Sequence, residues 1–274
     1  MALTDADNFY IDLVKIKNED NFKQYCLAEK ENIENNYNVL VTLKSVYSKY
    51  RKKALTYKFN LNKSNIIKEI FKLDNEEYNI IRKDYNLKVS SNLRTLKLIK
   101  SIDDYFTTSI KLIESSKILD NIVGLAALTG RRVAEIGCSA HFKYIKYDYV
   151  LFTGQLKTKF RENVNPYEIP VFYNAKNLIN VLNHVRYEKP QYYNDPELFH
   201  NSCSKTISSI TKKAYQDIIE GEVTPKDLRA IYACLANHRF NDGSIGITRY
   251  IADILGHDEL DNNTCNSYIK YRIT

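Results

Sequence analysis

The sequence predicts a mainly α protein with a small antiparallel β-sheet (α+β), divided into a helical region over residues 1–88 and a larger domain over residues 89–274. Three observations lead to this prediction. Apolar residues recur at helical spacing through most of the chain. The stretch between residues 144 and 172 instead alternates aromatic and β-branched residues, which is typical of strands. The short polar run KVSSN at residues 88–92 has the composition of a domain boundary.

Composition limits the class of protein. Of the 274 residues, 44% are hydrophobic, which is enough for one large or two modest domains with real cores. The net charge of +7 suits a negatively charged partner, with nucleic acid the first candidate, although a basic protein without such a partner fits equally well. Five well-separated cysteines without a CxxC pair argue against a disulfide scaffold or a zinc site. No apolar run approaches a membrane span and residues 1–10 hold no signal peptide, so we expect a soluble, cytoplasmic protein.

The first region, over residues 7–86, is predicted to be helical. Apolar residues between Leu40 and Tyr47 lie at helical spacing. The segment YSKYRKK, which starts at Tyr47, interleaves Lys and Arg with Tyr. This pattern suits a face that grips the DNA backbone and equally suits a solvated helix flank. A helix break is expected at residues 60–64, with Ser64 as an N-cap.

The second region is predicted to contain further helices. They cover residues 93–115, 117–128, 174–187 and 202–219, a helix opened by Thr224 and Pro225, and residues 247–255. The segment KILDNIVGLAAL at 117–128 is apolar enough to be buried, and Gly130 after it supplies a C-cap or tight turn. Gly256 ends the last of these helices in the same way.

The predicted sheet lies between these helices. Its strands come from YIKYDYVLF, TGQLKTKF and YEIPVF, which Gly154 and residues 163–166 separate. Lys157 and Lys159 fall where a hairpin would project a basic tip. A lysine there can protonate a leaving-group oxygen or contact a phosphate, whereas a solvated hairpin tip is the commoner outcome.

The strongest chemical signal lies between residues 224 and 268. Lys226 and Arg229 are three residues apart, so on a helix they share a face and can converge on one small anion. Arginine offers a planar set of donors for phosphate and lysine adds a point charge. His257 is a further donor, and Tyr268 supplies an oxygen that can act as a nucleophile. A cationic cluster around a hydroxyl group favours phosphoryl transfer.

A second arginine signal follows Gly130. Arg131 and Arg132 stand between two predicted helices, where a buried arginine needs an anionic partner. Glu135, three residues after Arg132, can hold that side chain in place. Taken alone, the pair is more simply a structural ion pair than a phosphate site.

Taken together, these segments resemble the sequence boxes of tyrosine recombinases. ALTGRRVAEI is similar to their first arginine box, T-G-x-R-x-x-E-[LI], and this alignment makes Arg132, rather than Arg131, the catalytic arginine. GQLKTKF followed by EIPVF resembles the hairpin that carries their catalytic lysine. The resemblance assigns that role to Lys157, with Lys159 as the alternative.

The last three boxes continue the resemblance in the same order. KDLR from Lys226 to Arg229 matches the second arginine box, usually H-x-x-R, and the LGH that ends at His257 matches the box of that sequence. Tyr268 matches the nucleophile, although Tyr271 lies one helical turn away and is an alternative. The resemblance covers residues 93–268 and implies a tyrosine recombinase-like catalytic domain preceded by a helical region.

Two departures from the usual pattern resemble telomere resolvases (protelomerases). Lys226 stands where most tyrosine recombinases have histidine, and the gap between His257 and Tyr268 is longer than usual by two residues. Telomere resolvases form covalently closed hairpin ends on linear replicons and usually carry further domains. The chain is therefore expected to be a catalytic core, or a truncated version, with a helical region that contributes DNA binding or a linker.

The resemblance also implies a mechanism. Tyr268 would attack a DNA phosphate to form a 3′-phosphotyrosyl bond, while Arg132, Arg229 and His257 stabilise the transition state. Lys157 would protonate the leaving 5′-oxygen, and Lys226 would share phosphate contact or proton transfer. No metal, nucleotide or other cofactor is implied. The implied partner is double-stranded DNA with an inverted-repeat site, bound by a dimer, with no membrane partner and a location at the nucleoid.

Other functions stay open at this stage. A tyrosine integrase or a type IB topoisomerase would use the same chemistry, and small viral topoisomerases also contain KDLR. A non-catalytic relative would bind DNA only, although every box residue is chemically competent here. An unrelated basic helical protein would fail to bring Arg132, Arg229, His257 and Tyr268 together.

Overall fold

The computed structural model describes residues 4–156, 165–257 and 265–273. The chain divides into two compact units, Met1–Lys88 and Val89–Thr274. Helices dominate both, and the second unit contains a three-stranded antiparallel sheet, so the predicted mainly α fold with a small antiparallel sheet is confirmed. Over the ranges described, no helix combines the length and the apolar character needed to cross a membrane.

The first unit consists of helices around an aromatic core. They are α1 (Thr4–Leu13), α2 (Glu19–Asn36), α3 (Leu40–Ala54), α4 (Leu61–Ile70) and most of α5 (Asn75–Arg94). Tyr10, Phe22 and Phe71 are completely buried in this core. The break before α4 lies where the sequence predicts it, but Asn60, not Ser64, is the N-cap, since its side chain accepts from the Lys63 amide at 2.9 Å.

Only part of the basic and aromatic segment of α3 is exposed at the surface. Tyr47 and Tyr50 are buried, and the Tyr47 hydroxyl donates to Glu34 at 2.6 Å. Arg51 donates to the Phe71 carbonyl and Lys53 pairs with Asp7. The interleaved tyrosines therefore belong to the core, because the helical period turns them towards the neighbouring helices.

Helix α5 differs from the sequence prediction. It continues through residues 88–92, where a boundary loop is expected, because no glycine or proline between Asn75 and Arg94 ends it. None of its 20 residues is buried. The helix predicted over residues 93–115 is instead a short strand followed by a helix, which Ser101 caps by accepting from the Asp104 amide at 3.1 Å.

The second unit surrounds one buried helix. In chain order its elements are β1 (Lys97–Ile99), α6 (Ile102–Ile113), α7 (Ile118–Thr129), α8 (Val133–Cys138), β2 (His141–Lys146), β3 (Tyr149–Thr153), β4 (Tyr167–Pro170), α9 (Ala175–Glu188), a 3-10 turn (Pro190–Tyr192), α10 (Pro196–Tyr215), α11 (Pro225–Phe240), α12 (Ile247–Leu255) and β5 (Tyr271–Ile273). As predicted, α7 is buried, since it packs against α6, α9, α10 and α11.

Two sheets support the termini of these helices. The order β2–β3–β4 is antiparallel, with Phe152 opposite Tyr167. The second sheet was not predicted from the sequence. In it β5 pairs in parallel with β1, and Leu98 lies opposite Arg272. This pairing fixes the chain immediately after Tyr268, so the C-terminal segment returns to the core of the unit.

Candidate active site

Arg132 is positioned by the turn between α7 and α8. Gly130 ends α7 in the left-handed conformation (φ 66°), and a Cβ there would lie 2.1 Å from the Tyr232 ring. Arg132 is the N-cap of α8, and its backbone amide donates to Glu135 Oε2 at 3.0 Å. Its Nη1 donates to Glu135 Oε1 at 2.5 Å. Local sequence thus sets both the position and the direction of the guanidinium group.

Glu135 is the fully buried anion of the site. Burial alone would raise the pKa of its carboxyl, but the positive charges of Arg229, Arg132 and Arg131 outweigh burial and hold the pKa below its usual range. The carboxylate is therefore ionised at neutral pH. It compensates for part of the positive charge around it.

Arg229 projects from the second turn of α11. The helix begins with a capping box in which Thr224 and Asp227 exchange hydrogen bonds, and Pro225 occupies its first turn. Arg229 is only 3% exposed, and it donates to the carbonyls of Gly130 and Leu255 at 2.7 Å each. Burial and the charges of Arg131 and Arg132 lower its pKa to about 10, so it remains charged at neutral pH.

His257 follows the last turn of α12. Gly256 adopts the left-handed conformation (φ 63°), and the His257 amide donates to the Ala252 carbonyl at 2.9 Å, which gives a Schellman-type C-cap. The imidazole centroid lies 5.3 Å from the centroid of the Tyr268 ring. The end of α12 therefore places a histidine beside the candidate nucleophile.

Tyr268 meets both arginines. Its ring is 8% exposed, and the Arg229 guanidinium carbon lies 5.7 Å from the ring centroid. Burial would raise the pKa of the phenol, but the charges of Arg229 and Arg132, and hydrogen bonding by the same two groups, lower it below 10.0. Arg132, Arg229, His257 and Tyr268 are therefore brought together, as the sequence analysis expected of a functional site.

The alternative residues differ clearly from the preferred ones. Arg131 is 1% exposed, and its three nitrogens donate to the Thr129 carbonyl, the Tyr167 hydroxyl and the Ile254 carbonyl, so its guanidinium group bonds within the protein and is screened from a substrate. Tyr271 is 3% exposed, and burial together with the charge of Asp227 raises the pKa of its hydroxyl. The structure therefore favours Arg132 over Arg131 and Tyr268 over Tyr271.

The two lysines of the predicted site stand apart from this group. Lys157 and its alternative Lys159 lie outside the described residues. Lys226 is exposed on the first turn of α11, whereas Arg229 on the next turn is buried. The convergence of Lys226 and Arg229 on one anion stays a prediction. Because Lys226 faces solvent, it would contact a phosphate from the solvent side of the site.

The charges of the site leave it suited to an anion. Arg131, Arg132 and Arg229 bring three guanidinium groups around one carboxylate, Glu135, so two positive charges are uncompensated within this group. Uncompensated buried charge is costly unless a partner of opposite sign binds. Among the residues described, no cluster of three or more His, Cys, Asp or Glu side chains could hold a metal ion.

Three further residues contact the site although the sequence analysis gave them no functional role. Arg131, Tyr167 and Gln155 bond to one another or to the end of α12, the segment that precedes His257. The doublet Arg131-Arg132 after Gly130 is a sequence signal for the first of these. Tyr167 and Gln155 have no sequence signal of their own, because their role depends on where the strands place them.

Comparison with known proteins gives consistent matches. The family described as "Telomere resolvase ResT/TelK catalytic domain" matches residues 92–271. A curated relative, telomere resolvase ResT of Borreliella burgdorferi, is 23% identical over 197 residues, which cover 72% of this chain and 42% of the relative. The chain thus spans less than half the length of this curated relative.

Solved structures with the same fold include protelomerases bound to DNA. A protelomerase TelA variant complexed with a DNA hairpin product matches with a TM-score of 0.89 at 22% identity over 100% of this chain and 90% of the other. Protelomerase TelA covalently complexed with substrate DNA matches with a TM-score of 0.88 at 22% identity over the same shares. Protelomerase TelK complexed with substrate DNA matches with a TM-score of 0.58 at 20% identity, over 99% of this chain and 58% of that one.

Proposed function

This chain belongs to the telomere resolvase family defined by the ResT/TelK catalytic domain, and on that basis we propose that it breaks and rejoins DNA to form covalently closed hairpin telomeres. One observation carries the proposal. The Tyr268 phenol meets Arg229, which is buried, and Arg132, which is partly exposed, and its ring lies beside His257. Within the described group of Arg131, Arg132, Arg229 and Glu135, positive charge exceeds negative charge. A nucleophile surrounded by cations suits attack on a phosphodiester.

In the first step, the Tyr268 oxygen attacks a scissile phosphate in line with the 5′-oxygen. A bond forms between the phosphorus and the tyrosine oxygen, and the bond from phosphorus to the 5′-oxygen breaks. The lowered pKa of Tyr268 favours loss of its proton as the bond forms. The DNA strand is then held as a 3′-phosphotyrosine, which conserves the energy of the phosphodiester, so rejoining needs no external energy source.

The arginines and the histidine stabilise the charge that develops on the phosphate. Arg132 and Arg229 are held by Glu135 and by the carbonyls of Gly130 and Leu255, so their donors are oriented before the substrate binds. A preorganised donor of this kind contributes about 3–4 kcal/mol to the transition state. His257 donates to a further non-bridging oxygen.

The lysines complete the proposed chemistry. Lys157, with Lys159 as the alternative, donates a proton to the leaving 5′-oxygen as a general acid. Lys226 binds phosphate from the exposed first turn of α11, where the positive end of the helix macrodipole adds to its charge.

Hairpin formation follows from the geometry of the two cuts. The freed 5′-hydroxyl groups fold back and attack the phosphotyrosine on the opposite strand, which forms the hairpin phosphodiester and releases Tyr268. Two strands must be cut, so two protomers are proposed to act as a dimer on an inverted-repeat DNA site. The related TelA complexes, with covalently bound substrate DNA and with a hairpin product, support these two stages.

The first unit is proposed to add DNA contacts outside the site. Lys49 and Lys52 on α3 are exposed, although the neighbouring tyrosines belong to the core. Exposed lysines contribute sequence-independent affinity through phosphate contacts. Because the proposed substrate is a linear replicon, we place the enzyme in the cytoplasm, at the nucleoid.

The test uses a labelled duplex with an inverted-repeat target, incubated with wild type, Tyr268→Phe and Tyr271→Phe in buffer with a metal chelator. Wild type and Tyr271→Phe should give a covalent protein–DNA adduct and hairpin ends on denaturing gels, and Tyr268→Phe should give neither. An adduct that leads only to relaxation or strand exchange would assign the chain to topoisomerase or integrase activity. DNA binding without an adduct in wild type would contradict the proposal and indicate a binding role.

A further inference from the structure

The C-terminal end of α12 is held by an unusual set of donors. The last carbonyls of a helix have no partner within the helix and must bond elsewhere or to water. Here the carbonyls of Ile254, Leu255 and Gly256 all accept from side chains of the same unit. This segment immediately precedes His257, so whatever holds these carbonyls also fixes the backbone of that residue.

Two of the donors are arginines. Arg131 Nη2 donates to the Ile254 carbonyl at 2.7 Å, and Arg229 Nη2 donates to the Leu255 carbonyl at 2.7 Å. Positive charge at a helix C-terminus is favourable because the helix macrodipole is negative there. Arg229 is thus oriented partly by α12, so a shift of α12 would also displace its guanidinium group.

Tyr167 links the arginine to the glycine that caps α12. Its hydroxyl accepts from Arg131 Nη1 at 2.6 Å and lies 2.8 Å from Gln155 Oε1, to which it donates. Gln155 Nε2 in turn donates to the Gly256 carbonyl at 3.0 Å. Tyr167 and Gln155 pack closely against Gly256, since a Cβ on Gly256 would lie 2.4 Å from both the Tyr167 hydroxyl and Gln155 Oε1. Arg131, Tyr167 and Gln155 therefore form one connected chain of bonds around the α12 terminus, which we term the terminus clamp.

We propose that the terminus clamp is a positioning device for the reaction, with Tyr167 as the residue that joins its parts. This inference rests on the proposed function. Arg131 is 1% exposed, so burial prevents its guanidinium group from contacting DNA directly. The effect of the clamp is instead on His257, whose placement relative to the phosphate it determines. Misplacement of catalytic groups by about 1 Å can cost roughly a hundredfold in rate.

The first test compares Tyr167→Phe with Tyr215→Phe. Tyr167→Phe removes only the hydroxyl and keeps the ring that packs edge-on against Phe152. Tyr215→Phe is the control, because it too removes only a tyrosine hydroxyl, one that is buried and bonds to Ser109 at 2.8 Å, away from the clamp. We expect Tyr167→Phe to slow single-turnover adduct formation about 10- to 100-fold with DNA affinity within about twofold of wild type, and Tyr215→Phe to leave the rate within about twofold.

A double-mutant cycle separates positioning from a general structural effect. If Tyr167 acts through His257, then adding Tyr167→Phe to His257→Ala should lower the rate by much less than it does in wild type. Fully multiplicative losses, or equal losses in Tyr167→Phe and Tyr215→Phe, would overturn the proposal. Gln155→Met provides a second variant, since it removes the donor to Gly256 with little change in volume. It should show the same non-additivity with His257→Ala.

NMR of the histidine side chains in the DNA-free protein tests the positioning role independently of enzymatic activity. The chain has five histidines, of which His141, His184, His200 and His238 are exposed. In ¹⁵N-labelled protein, Tyr167→Phe should shift the imidazole resonances of His257 and leave those of the other four histidines unchanged. Tyr215→Phe should leave the His257 resonances unchanged. An unmoved His257 signal overturns the positioning role, whereas a wild type that forms no adduct overturns the proposed function instead.

Discussion

Glu135→Gln perturbs the charge balance of the site with the least change in shape. The carboxylate is fully buried and accepts from the Arg132 amide at 3.0 Å and from Arg132 Nη1 at 2.5 Å. Glutamine keeps the size of the side chain but removes the negative charge. It also leaves three guanidinium groups, those of Arg131, Arg132 and Arg229, without their common anion.

The expected loss of stability follows from burial. Removal of one partner of a buried ion pair costs about 3–5 kcal/mol, because the remaining charge is left uncompensated. The sign of the pH dependence is set by the pKa of Glu135, which is lowered from 4.5 in the folded protein. Its contribution to stability is therefore present above pH 4.5 and is lost as the pH falls towards the lowered value. The difference between wild type and variant should shrink in acid.

Urea unfolding at neutral and acid pH measures this difference, with Glu222→Gln as the matched control. Glu222 pairs with Lys212 at 3.0 Å, but the two side chains are 66% and 60% exposed. Exposed pairs of this kind contribute about 0–1 kcal/mol. Glu135→Gln should also slow adduct formation, since Arg132 loses its anchor. Equal destabilisation by the two substitutions, or a difference that does not change with pH, would refute the reasoning.

Three further predictions follow from the same site. Gly130→Ala should lower the free energy of unfolding in urea by about 2–4 kcal/mol, since the added Cβ would lie 2.1 Å from the Tyr232 ring. Gly243→Ala is the control: Gly243 also has a positive φ, but no atom lies within 4 Å of the added Cβ, so this substitution should cost about 1 kcal/mol. The rate of adduct formation at limiting DNA should rise with pH and level off below pH 10, because Tyr268 has a lowered pKa; a rise that continues past pH 10 would contradict this. Asp227→Asn should cost about 1–2 kcal/mol in thermal or urea unfolding, because the carboxylate accepts from the Thr224 amide and hydroxyl at the start of α11; an unchanged midpoint would argue against the cap.

The order of the sequence boxes predicted that Arg132, Arg229, His257 and Tyr268 lie together, and the structure brings these four residues together. Arg132 and Glu135 are three residues apart after a glycine, so the local turn alone brings them together. The assignment of Arg132 rather than Arg131 depended on the alignment with the T-G-x-R-x-x-E pattern and stays a prediction, and it is compatible with the internal hydrogen bonds that Arg131 makes. The buried helix before Gly130 was also predictable, since an unbroken apolar run with a glycine after it has few other interpretations.

Other features depend on tertiary contacts that the sequence does not reveal. The strands β1 and β5 have three residues each, too few for a periodic signal, and pair across more than 170 residues. Tyr47 and Tyr50 alternate with lysines in the sequence, yet the helical period turns them inwards. The role of Tyr167 is visible only when β4 brings its hydroxyl to Arg131 and Gln155.

The most direct test of the account identifies the residue that carries the DNA. The covalent adduct would be digested with nuclease and trypsin, and the peptide that retains a nucleotide would be sequenced by mass spectrometry. Trypsin cuts after Lys270, so Tyr268 lies in the peptide of residues 250–270 while Tyr271 lies in the next one. We predict a nucleotide on Tyr268 of the 250–270 peptide. A nucleotide on Tyr250 or Tyr271, or an adduct that persists in Tyr268→Phe, would contradict it.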